Sequence, residues 1–136
     1  MSRKLAREMA VKFLFQMEAR GEDYRDMVDD FLEDNPLKEG DERFFRDNIE
    51  GTVANLKEID GLIERKLVNW TISRIPKVNL AVLRNAIYEL MYREDIPVSV
   101  SINEAVDLAK RFGDEESGVF VNGILGTLVR DREISR

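Results

Sequence analysis

Lys77-Val78-Asn79-Leu80-Ala81-Val82-Leu83-Arg84-Asn85-Ala86-Ile87-Tyr88-Glu89-Leu90-Met91-Tyr92 is the stretch on which the fold turns. Wound as a helix, its apolar residues Val78, Leu80, Ala81, Val82, Leu83, Ala86, Ile87, Leu90 and Met91 cover most of the circumference. A helix that is apolar on most sides must be surrounded on most sides, which places this one in the middle of a helical bundle. It is expected to stop near Arg93-Glu94-Asp95, ahead of Ile96-Pro97, since the residue before a proline is pushed out of helical geometry.

Outward from that centre, each neighbouring segment repeats at helical spacing. On the N-terminal side, residues 58–70 align Ile59, Leu62, Ile63, Leu67 and Trp70. Phe44, Phe45, Ile49 and Val53 mark a helix that Asp41 is expected to cap. Met27, Val28, Phe31 and Leu32 mark a short acidic helix stopped by Asn35-Pro36. Residues 3–20 carry a stripe of Ala6, Met9, Ala10, Phe13, Leu14 and Met17, closed by Gly21. On the C-terminal side, Ile102, Ala105, Val106, Ala109 and Phe112 form a helix ended by Gly113. A last helix begins near Glu116 and turns Val121, Ile124, Leu125 and Leu128 inward. No segment alternates for long, and β-branched residues cluster only at Val98-Ser99-Val100. The expected fold is all-α, about seven helices in one domain over residues 1–136.

Composition narrows the chemistry. A chain of 136 residues with 43% hydrophobic content can bury a core without staples. Cysteine and histidine are both absent, which removes disulfides, thiol nucleophiles, imidazole bases and zinc sites together. Gly113, Gly118, Gly123 and Gly126 follow no strand and lead to no Gly-Lys-Ser/Thr, so they are not a phosphate loop. Asp114-Glu115-Glu116 suits the positive end of a helix better than a metal ion. No enzyme, cofactor or metal is expected. The chain has no run of about 18 apolar residues, and its start turns charged at Arg7-Glu8 and Lys12. A soluble, cytoplasmic protein with no membrane contact is the expectation.

Charge is unevenly placed. The net charge of −6 argues against blanket nucleic-acid binding, yet residues 1–20 carry +3 and residues 21–50 carry −8. Arg3, Lys4 and Arg7 are therefore either a local patch for a nucleic acid or a solvated helix start. Lys110-Arg111 adds charge before the last helix, whose Ser117 and Gly118 offer N–H groups to a phosphate against the opposition of Glu115 and Glu116. At about 100° per residue, Phe15 falls opposite the first helix's core stripe, beside Lys4 and Val11 and flanked by Glu8 and Glu18. That side is either a protein interface or the seat of another helix. Phe120 lies about a quarter-turn from its own core stripe, where an aromatic packs at a core edge or stacks on an unpaired base.

Three ordered segments then carry a family likeness: Arg3-Lys4-Leu5-Ala6-Arg7-Glu8-Met9-Ala10-Val11-Lys12-Phe13-Leu14-Phe15-Gln16; Val78 through Leu90; and Ile96-Pro97 followed by Ile102-Asn103-Glu104-Ala105-Val106-Asp107-Leu108-Ala109-Lys110-Arg111-Phe112-Gly113, continuing through Ser117 and Phe120-Val121-Asn122-Gly123-Ile124-Leu125. In these the chain resembles the NusB family of bacterial transcription antitermination factors over nearly its whole length. The resemblance implies two packed helical subdomains and pairing with a ribosomal protein called NusE in its transcription role. It also implies joint binding of boxA-type single-stranded RNA in nascent ribosomal RNA transcripts, and read-through by an RNA polymerase antitermination complex. Carried over by position, Arg3, Lys4 and Arg7 would meet phosphates, while Glu116, Ser117, Phe120 and Asn122 would lie beside bases. Phe15, Glu18 and Asn79 would face NusE. Asn79 stands where relatives often have an acid, so its contact would be a neutral hydrogen bond. Some relatives self-associate, which adds a weak homodimer to the expectations. Two other readings stay open. One is a helical protein–protein adaptor docking through Phe15 and the acidic second helix; the other is an RNA-binding module like those fused to ribosomal RNA methyltransferases.

Overall fold

The computed structural model describes residues 3–68 and 71–134. Among them are seven α-helices and no strand: α1 Arg3–Arg20, α2 Tyr24–Asp34, α3 Glu39–Ala54, α4 Leu56–Arg65, α5 Lys77–Tyr92, α6 Val98–Phe112 and α7 Glu115–Arg130. A single 3-10 turn, Ile72–Arg74, leads into α5.

α5 is the central helix, buried at every position from Asn79 to Leu90. It packs against α1, α3 and α4, which precede it in the chain, and against α6 and α7, which follow it. One hydrophobic cluster runs through both halves, from Ala6 to Ile134. In the first half the core is aromatic. Phe13 meets the edges of Phe31 and Phe45 at 5.3 and 5.8 Å, and those two rings stack at 5.5 Å. α3 approaches α5 closely because position 51 has no side chain: a Cβ on Gly51 would stand 2.1 Å from the Tyr88 ring. In the second half α6 and α7 form a tight pair, the Lys110 side chain crossing Gly118 where a Cβ would meet Lys110 Cγ at 2.6 Å.

Helix ends differ from expectation at three places. α3 starts at Glu39 behind Lys38, so Asp41 lies inside its first turn, buried, and caps nothing. Three acids in that turn, Glu39, Asp41 and Glu42, favour the positive helix end in place of a side-chain cap. α4 ends at Arg65, leaving Leu67 partly buried beyond it, and Trp70 lies outside the described residues. α6 begins directly after Pro97 (φ −59°), so Val98-Ser99-Val100 form its first turn. A proline at a helix entry has no N–H to strand and its φ is already near helical. Gly21 does close α1, at φ +65°. No helix among the described residues is long and apolar enough to cross a membrane.

Candidate nucleic-acid interface

α1 opens with Arg3, Lys4 and Arg7 and has no acid in its first turn, an arrangement the helix dipole disfavours. Each cation is held instead by an acid from elsewhere in the fold. Arg3 pairs with Asp95 at 3.2 Å, Lys4 with Glu104 at 2.7 Å, and Arg7 with Glu89 at 2.8 Å.

The Arg7–Glu89 pair is internal. Arg7 Nε donates to Glu89 Oε2 at 2.8 Å and Nη2 to Oε1 at 3.0 Å. Asn48 Nδ2 and Ser101 Oγ each add a bond of 2.8 Å to the same carboxylate, which is 0% exposed. One buried anion thereby joins α1, α3, α5 and α6. With 4% of its surface exposed, Arg7 is not open to a phosphate in this conformation; its planar fork is occupied inside the protein. Beside it, the guanidinium carbons of Arg3, Arg7 and Arg93 stand 4.9, 5.2 and 4.9 Å from the centre of the Phe44 ring. Arg93 grips Asp95 through two bonds of 3.0 Å, and this guanidinium holds the Asp95 carboxyl well below the usual carboxylate range.

Two accessible cations lie along a seam between α1 and α6. Lys4 reaches Glu104 on α6, and Arg111 on α6 reaches back to Glu8 at 2.6 Å. Their side chains are 68% and 51% exposed. The seam runs into a groove of about 240 Å³ lined by Val11, Lys12, Phe15, Val78 and Phe112. Phe15 is on the outer side as expected, whereas Val11 is covered and forms the floor. Glu18 is tied to Arg84 at 2.7 Å, and Arg84 also holds Asp60, so this acid fastens α1 to α5 and α4. Asn79 is buried, and its Oδ1 has no hydrogen-bond donor.

α7 brings the remaining residues. Asp114 caps it: the Ser117 N–H donates to Asp114 Oδ1 at 2.8 Å and the Gly118 N–H to the Asp114 carbonyl at 3.2 Å. Those two groups are therefore spent within the chain and do not await a phosphate. Glu116 is exposed and Ser117 partly buried. Phe120 lines a hollow of about 480 Å³ with Val119, Gly123, Ile124, Thr127 and residues 66–68. Asn122, exposed, is about 200° further round the helix from Phe120 and points to a different side. The structure thus places Arg3 and Lys4 at the start of α1, Phe15 about three turns further along it, and Phe120 apart in its own hollow on α7.

Sequence reasoning passed over Glu89, Asn48, Ser101 and Glu104. The signal was available for the first: Asn85 and Glu89 sit inside a helix apolar on nearly every side, where a polar residue needs an internal partner. Among the described residues no group of acids is arranged to hold a metal ion.

The NusB family model matches residues 4–130. A transcription antitermination protein NusB from Acetivibrio thermocellus is 45% identical over 135 residues, covering 99% of this chain and 93% of that protein. The solved T. maritima NusB superposes with a TM-score of 0.85 at 41% identity, covering 96% of this chain and 92% of that one. A crystal structure of antitermination factors NusB and NusE in complex with dsRNA gives 0.88 at 28% identity, covering 95% and 96%. Since the match reaches from Lys4 on the seam to Arg130 at the end of α7, and relatives align along the same length, the chain belongs to the NusB family.

Proposed function

We propose that this NusB-family protein, a transcription antitermination factor like the relatives it matches, works as a non-enzymatic adaptor between nascent boxA-type RNA and the ribosomal protein NusE. The observation that carries this reading is the α1–α6 seam, where Lys4 and Arg111 project from neighbouring helices and which leads into the Phe15 groove. Arg3 and Lys4 hold the RNA backbone while Phe120 stacks on an unpaired base, with Glu116 and Ser117 on the same side of α7; Asn122, on another side of that helix, meets the RNA elsewhere along its path. Arg7 contributes from inside by fixing the start of α1 through Glu89. The Phe15 groove takes an apolar side chain of NusE; Asn79, buried on α5, supports that face from behind, and Glu18, already on Arg84, borders it. Bound together, the pair joins RNA polymerase on ribosomal RNA transcripts in the cytoplasm. With NusE absent, the bare groove supports a weak homodimer.

Fluorescence anisotropy of a labelled boxA-type RNA tests the reading, titrated with this protein alone and then with NusE. Selective binding that strengthens with NusE is the expected result. NusE binding with no selective RNA binding in either condition would leave a protein-only adaptor.

A further inference from the structure

Glu104 on α6 divides its carboxylate between two cations of α1. Oε2 accepts from Lys4 Nζ at 2.7 Å, and Oε1 faces Arg7 Nη1 at 3.6 Å. The partners differ in kind. Lys4 is 68% exposed on its side chain, whereas Arg7 is 5% exposed and anchored through its other nitrogens to Glu89. Glu104 itself is only 19% exposed, so its charge is screened less than that of a carboxylate in open water.

We infer that Glu104 is an internal competitor for RNA, a carboxylate that holds Lys4 in the free protein and yields it to an RNA phosphate on binding. This rests on the RNA-binding reading above and adds to it the residue that limits affinity. A lysine engaged by a carboxylate has to leave that pair before it neutralises a phosphate, so part of the gain at the phosphate is offset. The exchange is feasible because Glu104 keeps Arg7 when Lys4 leaves, and no carboxylate is stranded without a counter-charge. Lys4 is suited to the transfer: its ammonium is a point charge on a flexible stem with no fixed fork geometry to break. The competition acts on the RNA backbone, so it sets affinity for all sequences alike and leaves discrimination between them unchanged.

The test compares wild type, Glu104→Gln, Glu104→Asp, Lys4→Met, the Lys4→Met/Glu104→Gln double variant and Asp29→Asn by anisotropy with boxA-type and scrambled RNA, with and without NusE. Asp29 is an 89% exposed acid on α2 and reports the effect of removing one negative charge away from the seam. Glu104→Gln is expected to tighten both RNAs about two- to five-fold more than Asp29→Asn does. It should also steepen the salt dependence, by up to about 0.7 in log–log slope, since Glu104 then no longer competes with the phosphate for Lys4. The gain should vanish when Lys4 is Met. Glu104→Asp, which keeps a charge for Arg7 but draws back from Lys4, should show a smaller gain and covers the case in which the Gln variant fails to fold. Equal or weaker RNA binding by folded Glu104→Gln, or a gain that persists without Lys4, overturns the proposal. If wild type binds neither RNA in either condition, the RNA-binding reading itself fails and this one with it.

Discussion

Glu89 is the residue whose surroundings say most about the others. It has no exposed surface and accepts from Arg7, Asn48 and Ser101, each on a different helix. Removing one partner of such a pair leaves a buried charge without compensation, so Arg7→Ala should cost about 3–5 kcal/mol in urea unfolding. That is a large share of the stability of a typical domain, roughly 5–15 kcal/mol. Replacing both partners by Met should cost much less, because neither charge is then left buried without its partner. Tyr88 makes a second prediction at this scale. Burial, and then its bond to Asp47, push the hydroxyl from an ordinary 10.0 up to about 12. The unfolded chain loses this proton first, so the contribution is whole below pH 10.0 and is lost as pH rises toward about 12. Chemical-denaturation stability measured from pH 9 upward should therefore fall across that window, and fall less steeply in Tyr88→Phe.

Among the elements, α7 depends on a cap that can be removed alone. Asp114→Ala frees the Ser117 N–H and should lower thermal stability by about 1 kcal/mol without touching the Lys4–Glu104 pair. Calorimetry reads the first effect and RNA affinity the second. The elements also show what sequence could reveal. α5 was legible from end to end because a helix apolar all round has only one place to go. α1 was legible as a stripe, and Phe15 as its outlier, because 3.6-residue periodicity is a local property. The burial of Val11 and Arg7 is not legible for the opposite reason: whether a side of a helix is covered depends on a neighbour far along the chain. Arg7 meets Glu89 82 residues later, and no periodicity within α1 contains that pairing. The start of α3 failed similarly, since Asp41 looks like a cap until the helix is seen to begin before it.

On the scale of the whole molecule, two surfaces are separable by mutation. The Phe15 groove lies where α1, α5 and α6 meet, and the Phe120 hollow lies on α7 facing residues 66–68. Phe15→Ala should weaken NusE binding by more than tenfold in calorimetric titration while leaving RNA contacts of the protein alone intact. Phe120→Ala should lower RNA affinity by about 1–3 kcal/mol and leave NusE binding unchanged. Loss of both functions from either variant would show that the two faces are one coupled surface.

The carboxylate shared by four helices also bears on the order in which the chain is made. Synthesis delivers α1, α2 and α3 first, and with them Arg7 and Asn48, while Glu89 and Ser101 are still to come. Until α5 emerges, the aromatic cluster of the first half has no central helix to close over it, and the guanidinium of Arg7 stays hydrated. A chain cut short before α5 is therefore expected to lack a stable core of its own. The arrival of one glutamate changes Arg7 from a solvated cation into a structural bolt, and α6 then completes the set of bonds to that carboxylate through Ser101.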